Sequence, residues 1–325
     1  MRALVVSNML ADATHPERGR FVRDQVAALD ALPEVEVELY EFPPGARALT
    51  HAARELRARF AGPSTFSRRP ARPPLDVVHA HFGLTAWPAL CVPARVRALT
   101  VHGTDLRHPR TRLATVAVLR SQQLLAAVST ALVQELPRAA RARARVLPCG
   151  VDVERFHVID RARARAELGR DPAGAYVLFP ADPERAEKRY ERARALAHAT
   201  GAELVALGGI DPTLVPLWVN GANAVLVPSE REGFGLAVLE ALACDVPVLA
   251  TPVGIHREAL EGVAGTLCEP FELARWQAVL EGHLLSPDPR VAGREAALRF
   301  SAAAMAKRVA DAWRGALSRS ARRSQ

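Results

Sequence analysis

Lysine is almost missing from this chain: two residues in 325, against 41 arginines. That bias is as much a mark of a GC-rich genome as of any anionic partner. Long apolar runs are missing too, and none approaches the roughly 20 residues of a membrane-spanning helix. The four cysteines, Cys91, Cys149, Cys244 and Cys268, stand without paired or metal-ligand spacing. They read as free thiols in a reducing cytoplasm, not as a disulfide framework. Aromatics make up 5% of the residues and are not interleaved with the basic ones. No DNA- or RNA-binding motif stands out, which argues against a nucleic-acid partner. No Gly-x-Gly-x-x-Gly follows a strand, which argues against a nicotinamide enzyme.

What is present fits a soluble globular protein with room for two domains. Nearly half the residues are apolar (49%), and no class-defining bias appears. The net charge of +8 is unevenly placed: residues 1–155 hold 22 Arg against 14 Asp and Glu, and the remainder holds 21 against 21. A basic first half suits an anionic surface, and weak contact with a membrane ranks above nucleic acid. Met1 to Asn8 is too short in its apolar part for a signal peptide and reads as a first strand.

Alternating strand and helix signals run along the whole chain, the pattern of a doubly wound parallel sheet. Ala3 to Ser7, Glu36 to Phe42, Asp76 to His81, Arg97 to Val101 and Leu124 to Val128 read as strands of the first half. A helix with apolar positions at Phe21, Val22, Val26 and Leu29 follows the turn at Gly19. Residues 61–74 read as a loop, and Arg138 to Arg145 as a solvated basic helix face. In the second half Ala175 to Pro180, Glu203 to Gly209, Ala224 to Val227, Pro247 to Gly254 and Gly265 to Cys268 read as strands. A terminal helix carries Phe300, Met305, Val309 and Trp313 at core spacing, and Arg319 to Gln325 should fray. His79 and His81, two apart on a strand, share one side and could suggest a metal pair. With no third ligand in view they read as structural or cleft-lining.

The stretch Pro228 to Glu240 carries the chemistry. A buried strand passes through Gly233 and Gly235 into a helix starting at Leu236, and such a start seats an anion. Glu232 in the turn and Glu240 in the helix are an odd choice for phosphate alone. They make sense if the ligand also carries sugar hydroxyls, because a carboxylate accepts hydrogen bonds from a diol. The ligand implied is a sugar joined through phosphate to another sugar.

This stretch, with Val-Pro-Ser before it and Ala-Leu-Ala-Cys-Asp-Val-Pro-Val after it, resembles the Glu-x7-Glu signature of glycosyltransferase family 4. Residues 99–105 and 146–156 are similar to further family segments. The resemblance implies a GT-B fold, α/β, with two Rossmann-like doubly wound domains facing across a cleft: 1–155 on the acceptor side, 156–300 binding the nucleotide sugar, and 301–325 returning to the first domain. It implies that Glu232 holds the transferred sugar, Glu240 the ribose, and the backbone of Phe234, Gly235 and Leu236 the sugar and diphosphate. His102, with Gly103 leaving room, would stand beside the reacting carbon. Lys188 and Arg185 would hold the diphosphate; the family's Gly-Arg after the strand is absent, and Arg185 stands in for it. Gly19 and Gly209 match glycine loops on the donor's diphosphate and nucleotide sides.

The activity so implied is retaining transfer of a hexose from a nucleotide-diphosphate sugar to an acceptor hydroxyl on a glycolipid, polysaccharide or small glycoside. No metal and no cofactor besides the donor is called for, and the place expected is the cytoplasm or the inner face of its membrane. The rivals are another GT-B enzyme, a phosphorylase or a nucleotide-sugar epimerase, and a non-catalytic sugar-nucleotide-binding protein. Base, sugar and acceptor, lipid-linked or not, are left open.

Overall fold

The computed structural model describes residues 1–13, 15, 17–60 and 74–323; the loop read over 61–74 lies outside them except for Pro74. The chain divides into two compact units. Unit 1 is Met1–Gly150 with Ala302–Gln325, and unit 2 is Val151–Ser301. Among the described residues no helix is long and apolar enough to cross a membrane.

Among the described residues unit 1 is built on six strands: β1 (Arg2–Ser7), β2 (Glu36–Glu41), β3 (Leu75–His81), β4 (Ala94–Val101), β5 (Leu124–Ala127) and β6 (Ala144–Val146). They pair in the order β2-β1-β3-β4-β5-β6, all parallel. Parallel strands need crossovers that cover both faces, which is why β1, β3 and β5 are buried along nearly their whole length and not at alternate residues. The helix Arg20–Asp30 buries Val22, Gln25 and Leu29, a stripe at helical spacing. The terminal helix Ala302–Arg323 lays Met305, Val309 and Trp313 into the same core as Val5, Val77 and Val96. Each such side chain contributes about 1.5–3 kcal/mol when fully buried.

Three expectations change here. Phe300 is buried but precedes the helix and belongs to unit 2. The helix does not stop before Arg319 but runs on to Arg323, with Ala316 and Leu317 packed on the core of unit 1. The basic run 138–145 is not one helix. Its helix is Arg138–Arg141, and the chain then pairs as β6 beside β5, where ladder bonding and packing on the neighbouring strand override the favourable helical propensity of Arg and Ala.

Unit 2 has five strands: β7 (Tyr176–Phe179), β8 (Glu203–Ala206), β9 (Ala224–Val227), β10 (Val248–Ala250) and β11 (Leu267–Cys268). Their order is β11-β10-β9-β7-β8, again parallel. Helices Tyr190–Thr200 and Leu273–Leu285 supply Leu196, Trp276 and Leu280 to its core.

Both sheets reverse direction of growth once, between β1 and β3 in unit 1 and between β7 and β9 in unit 2. An open parallel sheet binds ligands beyond the carboxyl ends of strands at such a switch point. The loops after β1, β3, β7 and β9 are therefore the places to look.

The units also divide the charge. Unit 1 holds 27 Arg and Lys against 13 Asp and Glu, a net +14; unit 2 holds 16 against 22, a net −6. The halves of the sequence, +8 and balanced, understate this because the basic terminal helix belongs to unit 1.

Candidate functional site

In unit 2 the loops after β7 and β9 meet at one ion pair. Lys188 Nζ donates to both Glu232 oxygens at 2.8 Å, and Ser229 Oγ donates to Glu232 Oε1 at 2.7 Å. Two further hydrogen bonds hold the loops together: Glu230 N–H donates to the Glu187 carbonyl at 2.9 Å, and the Arg192 side chain donates through Nη1 to the Pro228 carbonyl at 3.1 Å. The carboxylate is 8% exposed and the ammonium 16%. Burial pushes the Glu232 carboxyl up, but the charge of Lys188, the influence of His256 and the hydrogen bonds from Lys188 and Ser229 outweigh it, so it lies below the usual carboxylate range.

The glycine turn follows. Gly235 caps the helix Leu236–Ala243 in a left-handed conformation, φ 103°. A Cβ there would lie 2.3 Å from His256 Nε2, so no side chain fits for two separate reasons. Phe234 is buried, and its carbonyl accepts from Ile255 N–H at 2.8 Å. Glu240 lies on that helix, 3.9 Å from Arg155. Gly209 has φ 73° with open space where a Cβ would go.

Arg185 is placed differently from Lys188. It is 56% exposed and donates twice to Glu187 Oε1, at 3.1 and 2.8 Å. Arg189, which sequence reasoning passed over, has φ 60° and lies 3.5 Å from Glu230.

In unit 1, Gly19 caps the helix after β1 with φ 70°, and a Cβ there would stand 2.3 Å from the Met9 carbonyl oxygen. After β4, His102 is packed between Phe21 and Phe82, ring centroids 5.0 and 4.6 Å away. Its Nε2 is 2.9 Å from His81 Nδ1. His79 bonds Thr100 Oγ1 at 2.8 Å and Trp313 Nε1 at 3.2 Å, so the strand pair is engaged inside the core.

The residue that sequence reasoning missed is Asp105. Its carboxylate accepts from the backbone N–H of Gly103 at 2.8 Å, of His102 at 3.1 Å and of Gly83 at 3.2 Å. It thereby ties the loop after β3 to the strained turn at Gly103, φ 113°. The signal available was a carboxylate three residues beyond His102, the spacing of a side chain that bonds its own loop. Burial pushes the Asp105 carboxyl up to about 6, against the pull of those N–H groups.

That value sets a test. A folded value above the unfolded one, about 3.9, means the stability contributed is fully present below pH 4 and is lost as pH rises through 6. The loss is on the order of 3 kcal/mol. Asp105→Asn does not ionise and turns an amide donor toward one N–H, costing about 1–3 kcal/mol near pH 4.5. In urea denaturation the gap between variant and wild type should narrow from pH 4.5 to 7; parallel curves would contradict this account.

Two parallel sheets, each with candidate site residues in the loops at its switch point, define a double Rossmann-like protein of the GT-B class. The family model described as Glycosyltransferase Family 4 matches residues 16–155, and that described as Glycosyl transferases group 1 matches residues 173–299. The D-inositol 3-phosphate glycosyltransferase of Frankia alni is 30% identical over 75% of this chain and 75% of its own length. Sucrose-phosphate synthase of Thermosynechococcus elongatus shares the fold at a TM-score of 0.72 and 18% identity, over 98% of this chain and 100% of that one. Anabaena HepE, solved with UDP-glucose, does so at 0.64 and 16%, over 96% and 98%. The chain belongs to glycosyltransferase family 4, and it is a glycosyltransferase.

Proposed function

We propose that the chain transfers a hexose from a nucleotide-diphosphate sugar, with retention and without a metal, to a hydroxyl of an anionic polyol acceptor. The observation that carries the donor side is the Lys188–Glu232 pair at the switch point of unit 2. Negative charge grows on the leaving diphosphate as the glycosidic bond breaks, and an ammonium held in place before the reaction stabilises it without reorganising. Glu232, held ionised, accepts hydrogen bonds from sugar hydroxyls, and Glu240 takes the ribose. The backbone of Phe234, Gly235 and Leu236 lies along sugar and diphosphate, with Gly209 on the nucleotide side and the Gly19 turn on the diphosphate side. Arg185 reaches the diphosphate only by leaving Glu187, so its part is the smaller. His102 stands at the reacting carbon with Gly103 beside it. No side chain is cast as a covalent nucleophile, which suits front-face displacement with the leaving phosphate taking the acceptor proton.

The acceptor class rests on two supports. The Frankia relative is named for D-inositol 3-phosphate, and the net +14 of unit 1 favours an anionic partner. The test is a thermal-shift screen of UDP, GDP and ADP sugars, followed by transfer to D-inositol 3-phosphate and to free inositol. A matching donor at a hundred times its Kd adds about 2.7 kcal/mol, several degrees in midpoint. Transfer should favour the phosphorylated acceptor and weaken as salt rises. No shift with any nucleotide sugar, together with no transfer, would overturn the reading.

A further inference from the structure

Three histidines form a row inside unit 1, and their partners decide which nitrogen of each carries its proton. Trp313 Nε1 is a donor only and points at His79 Nδ1, 3.2 Å away. That nitrogen accepts, so the His79 proton is on Nε2 and goes to Thr100 Oγ1 at 2.8 Å. His81 stacks on His79, centroids 4.8 Å apart, and is met from the helix Arg20–Asp30 by Gln25. The amide nitrogen of Gln25 lies 3.1 Å from His81 Nε2 and donates to it. The His81 proton is then on Nδ1, facing His102 Nε2 at 2.9 Å. His102 Nε2 therefore accepts, and its own proton is on Nδ1, the ring nitrogen with no hydrogen-bond partner among the described residues. Burial pushes all three histidines well below their ordinary range, His81 to about 3, with the neighbouring histidines adding to it for His79 and His102.

We propose that Gln25 and His81 are positioning residues that hold His102 as its Nδ1–H tautomer, so that His102 offers the sugar a hydrogen-bond donor and not a base. This rests on the reading of His102 as a ligand-facing residue. One consequence is chemical. A ring whose Nε2 lone pair is already engaged by His81 has no nitrogen free to take the acceptor's proton. Deprotonation then falls to the leaving phosphate. A second is that the helix after β1 and the strand β3 act on the reaction without touching substrate.

The tautomer is read by long-range 15N–1H correlation on the full chain, where protonated and bare imidazole nitrogens have separate shifts. The wild type should show the His102 proton on Nδ1. A proton on His102 Nε2, the state that a reversed Gln25 amide would impose, overturns the proposal. His81→Phe keeps the ring stack but has no donor. It should mix the His102 tautomers and lower kcat about tenfold, the worth of one hydrogen bond, with the Kd for UDP, GDP or ADP unchanged. His81→Asn places an amide N–H near the lost Nδ1–H and should restore kcat to within about threefold. Gln25→Met removes the first donor of the chain and should act in the same direction as His81→Phe, should that variant fold poorly. Wild-type tautomer and kcat in both His81→Phe and Gln25→Met would overturn the proposal. The nitrogen shifts are decided with or without turnover, so failure of the transferase reading leaves its own mark: the proton in place and no transfer by the wild type.

Discussion

Glu232→Ala should lower sugar transfer by roughly 10³-fold, about 4 kcal/mol of transition-state stabilisation. The carboxylate does two things in the proposed mechanism: it accepts sugar hydroxyls and it aims the Lys188 ammonium, 2.8 Å from both its oxygens. Removing it also leaves that ammonium, 16% exposed, without its partner. Breaking a buried pair by removing one member costs about 3–5 kcal/mol, so the variant should unfold at lower denaturant than the wild type. Loss of activity and loss of stability are separated by Glu232→Gln, which keeps the volume and a carbonyl oxygen for Ser229. Steady-state transfer and urea denaturation on both variants decide the matter. Near-wild-type turnover in Glu232→Gln would remove the charge of Glu232 from the mechanism; full turnover in Glu232→Ala would remove the residue altogether.

Lys188→Met should reverse the pH dependence of stability around Glu232. In the wild type, burial raises the carboxyl, but Lys188, His256 and the hydrogen bonds from Lys188 and Ser229 bring it below the ordinary value. A lowered folded value means the pair stabilises above the unfolded carboxyl's range, near pH 4.3, and that this stability is lost as pH falls through the folded value. Without Lys188 the burial remains, and the largest opposing influence is gone. The carboxyl then rises, and the variant should lose stability as pH climbs from 4 to 7, where the wild type holds it. Denaturant midpoints over that range should therefore slope in opposite senses. Transfer should fall together with the midpoint at neutral pH, because the developing diphosphate charge loses its cation. Parallel slopes would mean that the pair is not the local determinant of charge.

How much of this was legible beforehand differs by element. The strand at Ala224–Val227 and the helix Leu236–Ala243 fall where their apolar spacing put them, because both are decided by side chains within a few residues of each other. The helix Ala46–Phe60 carries little such signal: it buries only Ala52 and Leu56, a stripe too thin to stand out among its arginines. The run 138–145 misled for the opposite reason, since its end is ordered by a neighbouring strand and not by its own residues. The glycine turn was recognisable, yet the second reason for Gly235, the His256 ring behind it, was not, as 21 residues separate them.

The sequence by itself determined the periodicities, the glycine turns, the family motif and the chemical types at the site, all of which depend on near neighbours along the chain. Tertiary structure alone decided which of those groups meet. The order of parallel strands brings Lys188 to Glu232 across 44 residues, Gln25 to His81 across 56 and Trp313 to His79 across 234, and it moves the basic terminal helix into unit 1. The physical reason is that a parallel ladder is closed by backbone groups every residue carries, so its register and order are selected by the packing of the whole unit and leave no short-range trace.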